Sequence, residues 1–175
     1  MTFPWSVPCF CGLILHGVVL VAAPAVNAVS AQQAIRQPEV SQHLPGFITR
    51  QRVRVTPTSV KVGLSGTLVI SLTVKKSFHI YDPSPGDPFL TATRVIPLAV
   101  PGVTFGKPVW PVPTMVKGGK VHEGTVDIAI PFTVKKGAKP GIAWFGASFY
   151  AQGCNATTCF PPENFVVRVR KSLGR

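Results

Sequence analysis

Thr125–Val126–Asp127–Ile128–Ala129–Ile130–Pro131–Phe132–Thr133–Val134 alternates without a break, with Val126, Ile128, Ile130, Phe132 and Val134 on one side. A period of two over this length is a strand with one buried face; a helix would scatter the same five side chains around its axis. The pattern recurs on either side. Thr67 to Val74 puts Leu68, Ile70, Leu72 and Val74 on one face, and Arg52–Val53–Arg54–Val55–Thr56 alternates. Toward the C-terminus, Phe165, Val167 and Val169 alternate with Val166, Arg168 and Arg170, and Ile142 to Tyr150 is a mixed apolar run.

Turn signals separate these segments: Gly63–Leu64–Ser65–Gly66, Pro83–Ser84–Pro85–Gly86, Lys117–Gly118–Gly119–Lys120 and Lys139–Pro140–Gly141. No window carries a convincing period of 3.6, and no internal repeat or second domain is visible. About seven short strands with turns between them predict an all-β protein, an immunoglobulin-like antiparallel β-sandwich.

Composition agrees. In 175 residues, 46% are hydrophobic, too many for a disordered chain, while 18 Pro and 16 Gly are too many for a helical bundle. A folded part of about 140 residues can bury roughly two-thirds of its unfolded surface, so it needs no disulfide staples to fold. The formal charge is +12. Its clusters, at Arg50–Arg54, Lys75–Lys76, Lys135–Lys139 and Arg168–Arg175, are spread along the chain. For an exported chain they predict a solvated basic surface, weakly attracted to anionic membrane lipids or acidic partners, with no nucleic-acid partner.

The expectation of export comes from the N-terminus. Phe10 to Ala23 is an apolar run interrupted by Gly12, His16 and Gly17, too short for the ~20 residues that span a bilayer. Pro24 follows, then small residues in Ala25–Val26–Asn27–Ala28 and Val29–Ser30–Ala31 that offer cleavage sites. No Lys or Arg precedes the run. Residues 1–31 are predicted to be a cleaved secretory signal, with an uncleaved N-terminal anchor as the alternative, and residues 32–45 a flexible linker. Cys9 and Cys11 would leave with the signal. The mature chain then keeps Cys154 and Cys159 in a disulfide-permissive compartment.

Cys154–Asn155–Ala156–Thr157–Thr158–Cys159 lies between two predicted strands, where facing cysteines come within disulfide range. Pro161 and Pro162 cannot donate ladder hydrogen bonds, so the return strand starts beyond them and the pair sits near a rim. Three readings are open. A structural disulfide closing so short a loop gains only about 2 kcal/mol in the chain-entropy model. A redox-active dithiol is favoured by a loop-tip position, where an attacking thiolate has access. Half of a metal site fits the spacing loosely, but His43, His79 and His122 are scattered and no closed tetrahedral site is expected.

Gln152–Gly153–Cys154, four residues, then Cys159–Phe160–Pro161–Pro162–Glu163 resembles the active-site hairpin of the N-terminal periplasmic domain of the DsbD thiol:disulfide interchange proteins. Phe78–His79–Ile80–Tyr81 is similar to that family's upstream strand, and the order of segments matches from about Gly46 to Arg170. The resemblance implies that residues 46–175 form an immunoglobulin-like thiol:disulfide interchange domain with Cys154 and Cys159 as the redox pair. It implies a protein-disulfide reductase type of oxidoreductase, without cofactor or metal, that receives electrons from a thioredoxin-like periplasmic domain. Neither a thioredoxin fold nor a membrane electron carrier is expected from these residues, so both would be expected on separate chains, with oxidised envelope proteins as the substrates. Cys159 is the expected site of the intermolecular bond.

Tyr150, Glu163 and Met115 are the candidates for tuning or shielding the pair. The family's aromatic directly precedes the Gln-Gly-Cys element, whereas here Ala151 does and Tyr150 comes one residue earlier; only a bulge would restore its face. The segment matching the family's shielding loop, Trp110 to Gly119, has Met115 and Val116 near its tip. The competing expectations are a non-enzymatic envelope β-sandwich for binding or assembly with a permanent disulfide, and a metal-handling module using the cysteines or His79. Asn155–Ala156–Thr157 is a glycosylation sequon, but a glycan there would block partners. Trp110 and Trp144 are expected in the core.

Overall fold

The computed structural model describes residues 43–116 and 118–175; the expected signal segment, with Cys9 and Cys11, and residues 32–42 of the expected linker lie outside them. Twelve strands follow in order, with no helix among the described residues: β1 Ile48–Thr56, β2 Val60–Lys61, β3 Ser65–Val74, β4 His79–Tyr81, β5 Arg94–Pro97, β6 Val103–Phe105, β7 Thr114–Val116, β8 Gly119–His122, β9 Thr125–Val134, β10 Gly141–Ala151, β11 Gly153–Cys154 and β12 Glu163–Gly174.

Two four-stranded sheets make the sandwich, in the orders β1-β3-β9-β6 and β2-β12-β10-β5. Every pair in them is antiparallel except β2, which runs parallel to β12. This is the strand order of an immunoglobulin-like β-sandwich of the constant type, with a short strand added beside the last one.

The alternation in the sequence sets the facing. In β9, Val126, Ile128, Ile130, Phe132 and Val134 are all buried, and in β3 so are Leu68, Ile70, Leu72 and Val74. Antiparallel register sets Ile70 opposite Ile128 and Leu68 opposite Ile130, so these faces act as one apolar surface. Phe145, Ala147, Phe149 and Ala151 of β10 and Phe165 and Val167 of β12 meet it from the other sheet. Phe132 and Phe145 close the gap with ring centroids 5.2 Å apart.

Two expectations change. Trp144 is not in the core: the odd-numbered residues of β10 take the inner face, so the ring stands outside, 44% exposed. There the guanidinium groups of Arg168 and Arg170, from the paired strand, lie 4.5 and 5.8 Å from ring centroids, a cation–π arrangement. The mixed run could not reveal this, because apolar residues occupy both parities. The end of the expected linker is also docked. Pro45 is buried and accepts a hydrogen bond from Ile48, and Leu44 packs against the core. Trp110 is partly buried against the core, as expected.

The fold predicts a sharp contrast between two isoleucines. Ile128→Ala, at a fully buried position, should lower the free energy of unfolding by about 2–5 kcal/mol. Ile96→Ala on the outer face of β5, 64% exposed, should stay within about 0.5 kcal/mol of the parent in urea unfolding.

Candidate functional site at one end of the sandwich

Register decides which loops meet. Thr73 pairs with Thr125, so β3 ends where β9 begins; Arg94 pairs with Tyr150, so β5 begins where β10 ends. The connections 75–93, 106–124 and 152–162 therefore leave the same end of the sandwich. They pair with one another there as a third sheet, in the order β11-β4-β8-β7.

Cys154 and Cys159 are joined by a disulfide, their Cα atoms 4.0 Å apart, across an isolated antiparallel bridge. Asn155 shapes the turn between them. Its Oδ1 accepts from the backbone N–H of Thr157 and Thr158 at 2.9 and 2.7 Å, and Asn155 N–H donates to Thr158 O at 2.8 Å. Such an Asx turn holds the backbone without help from the rest of the fold. As expected from Pro161 and Pro162, the return strand β12 starts just beyond them, at Glu163.

The hairpin is pinned from behind. Phe160 N–H donates to Gly153 O, and Gln152 Nε2 donates to Phe160 O. The Phe160 ring lies 5.9 Å from Phe47 and 5.3 Å from Phe78, centroid to centroid. Gly153 is required here, because a Cβ would collide with the Phe47 ring. The two sulfurs end up in different surroundings: Cys154 is 1% exposed, whereas Cys159 is exposed. An incoming thiolate has access to the Cys159 side of the bridge.

The sequence offered His79 as a metal ligand, not as a neighbour of the cysteine pair. In β4 it stands directly opposite Cys154 of β11, so the two side chains share a face of the end sheet. Its ring meets Tyr81 edge-on at 5.2 Å, and its Nε2 is buried without a hydrogen-bond partner. Desolvation lowers the imidazole pKa below its usual 6.5, with the Glu123 carboxylate pulling weakly the other way. Nothing local in Phe78–His79–Ile80–Tyr81 announces this; the pairing comes from the crossing of distant segments. Ile80, Gly153 and His122 lie on the opposite face of this sheet, where His122 Nε2 is 2.9 Å from Asp82 Oδ2 and its ring stacks on Trp110 at 5.2 Å.

Tyr150, Glu163 and Met115 take three different places around the end of the sandwich. Tyr150 pairs with Asn164 and Arg94 without a register break, so no bulge turns it. It lies on the outer face, its ring 5.6 Å from the Arg94 guanidinium. Glu163 is the first residue of β12, opposite Ala151. Met115 is in β7, the far edge of the end sheet, three strand spacings (roughly 14 Å) from β11. The shielding segment is thus a β7–β8 hairpin with Met115 69% exposed, and in this conformation it leaves Cys159 open.

Among the described residues, no three or more His, Cys, Asp or Glu side chains gather as a metal site. Arg50, Arg52 and Arg54 line one outer face of the sandwich, with Ser71, Thr73, Thr125 and Asp127, around an open hollow of about 280 Å³.

No family model matches the chain, and no curated protein does. Among solved structures it is similar to the GAE domain of yeast GGA1, with 13% identity and a TM-score of 0.39 over 73% of this chain and 94% of that one. It is also similar to AvmM, which catalyses macrocyclization in alchivemycin A biosynthesis, at 10% identity and a TM-score of 0.35 over 78% and 91%. A third is the C-terminal fragment of the major pilin GBS80 of Streptococcus agalactiae, at 9% identity and a TM-score of 0.30 over 72% and 56%.

Two measurements follow from this geometry. Cys154→Ser should leave a Cys159 thiol that reacts readily with a thiol reagent, and Cys159→Ser a Cys154 thiol that reacts about tenfold more slowly or less. The second concerns pH. Because folding lowers the His79 pKa, the unfolded chain binds that proton more tightly. The stabilisation is full above pH 6.5 and is lost as pH falls toward the folded-state pKa. Urea unfolding of His79→Gln should show a shallower loss of stability than the parent between pH 7 and 5.

Proposed function

We propose that this protein is a thiol:disulfide interchange module of the bacterial periplasm, which relays electrons by dithiol–disulfide exchange through Cys154 and Cys159. The observation that carries the reading is the asymmetric bridge at the loop end of the sandwich, one cysteine exposed at the end of an Asx turn and the other buried behind it. The resemblance of the Cys hairpin and its Phe-Pro-Pro-Glu continuation to the DsbD N-terminal domains supports it.

A thiolate of a thioredoxin-like periplasmic partner attacks Cys159 Sγ. A mixed disulfide forms as the Cys154–Cys159 bond breaks, and Cys154 leaves as thiolate. The partner's second thiol then displaces Cys159. The partner departs oxidised, and this protein holds two thiols, two electrons and two protons richer. Cys159 thiolate next attacks a disulfide of an oxidised envelope protein, and Cys154 resolves that mixed disulfide, releasing the substrate as a dithiol. A membrane electron carrier on another chain re-reduces the partner. The activity is that of a protein-disulfide reductase and needs no cofactor.

The protein's reduction potential, from equilibration with glutathione and thiol trapping, tests the reading. A value between roughly −270 and −180 mV is expected, the range of exchange proteins. A value below about −300 mV is that of a structural staple and would leave a binding or assembly module in its place.

A further inference from the structure

Breaking the bridge by attack on the exposed sulfur creates a problem at the other one. The leaving atom, Cys154 Sγ, belongs to a residue 1% exposed, and a thiolate in such surroundings is costly unless something donates to it. Water has little access. The described residues contain no helix, so no helix N-terminus supplies a field. Among the described residues, the buried side-chain nitrogen and oxygen atoms without a hydrogen-bond partner are His79 Nε2 and Thr93 Oγ1. His79 is the direct cross-strand partner of Cys154.

We propose that His79 handles the proton of Cys154, its Nε2 donating to the sulfur as the disulfide opens and taking the proton back as it closes. The inference rests on the interchange reading for its biological meaning, but its chemistry concerns the bridge alone. When a thiolate bonds to Cys159 Sγ, the electron pair of the breaking S–S bond moves to Cys154 Sγ. The His79 Nε2–H donates to that charge, and as its proton passes to the sulfur Nδ1 takes one from solvent, so the ring stays neutral and a Cys154 thiol is left. In the reverse step, Cys154 S–H gives its proton to the Nε2 lone pair as Sγ attacks the mixed disulfide at Cys159, and Nδ1 returns its proton to solvent. The partner or substrate sulfur leaves as thiolate. The nitrogen that lacks a partner in the oxidised protein thus gains one in the reduced protein.

Titratable groups around the ring bear on this role. Tyr81 meets it on the same strand, and Glu123, beyond β8, favours its protonated form. The Asp82–His122 pair engages itself on the opposite face of the end sheet. Burial keeps the ring neutral at pH 7, the form that can both donate and accept across its two nitrogens.

The test is single-turnover reduction of the Cys154–Cys159 disulfide by dithiothreitol at pH 7, in the full chain. His79→Leu should slow it by about tenfold or more. His79→Gln, which keeps an N–H donor but has no proton to transfer, should fall between Leu and the parent. A His79→Leu rate within twofold of the parent, with an unchanged circular dichroism spectrum, would overturn the inference. A readout without substitution guards against misfolding: the ¹⁵N shifts of the His79 ring should differ between oxidised and reduced parent protein, and identical shifts would overturn it too. Failure here is distinct from failure of the relay, because the dithiothreitol rate is read whatever the reduction potential.

Discussion

Everything at the functional end depends on the antiparallel register between β3 and β9. Nine facing pairs, from Ser65–Thr133 to Thr73–Thr125, lock the two inner faces so that a one-residue slip would turn Leu68, Ile70, Leu72 and Val74 into solvent. The same register decides where β3 ends and β9 begins. The connections after β3 and before β9 therefore cannot drift relative to each other, and β4 and β8 pair because their roots are fixed. The second sheet does the same for the Cys hairpin, where eleven pairs between β10 and β12 deliver Ala151 and Glu163 side by side at its base.

This division of labour gives the disulfide a particular character. The bridge closes too short a loop to matter much for stability, about 2 kcal/mol on the chain-entropy estimate, in a domain whose core is already continuous. The turn is held by Asn155 and the hairpin by the rings of Phe47, Phe78 and Phe160, not by the sulfurs. A hairpin shaped by other interactions can open and close its S–S bond with little loss of structure. Exchange chemistry requires this of a hairpin.

Much of the sandwich was legible because inner-face alternation is a local property. Each of the β3, β9 and β12 segments displays it unaided, and Pro161 and Pro162 mark where β12 begins. Trp144 was misplaced because β10 has apolar side chains on both parities, and only the pairing with Arg168 and Arg170 decides which side is out. The short strands β5 and β6 carry too few residues for a period to emerge; backbone pairing with β10 and β9 makes them strands. In the site, the cysteines were readable from their spacing and flanking prolines. Their surroundings were not. Tyr150 and Met115 lie near the pair in sequence or by resemblance but are directed elsewhere by strand parity and by the position of β7, whereas His79 is set opposite Cys154 by a pairing of distant segments.

A β-sandwich faces a constraint that helical redox domains avoid. Where a thiolate sits at a helix N-terminus, aligned backbone dipoles stabilise its charge without a dedicated side chain. Strand dipoles alternate and largely cancel, so a sheet offers a buried sulfur no comparable field. The charge must then be met by a side chain on a neighbouring strand. Cross-strand pairing is the geometry that brings one within reach while both backbones stay rigid. At the end of this sandwich, the residue in that position is a histidine with an unspent nitrogen. The cross-strand pairing that orders the end sheet thus also determines which side chain stands opposite Cys154.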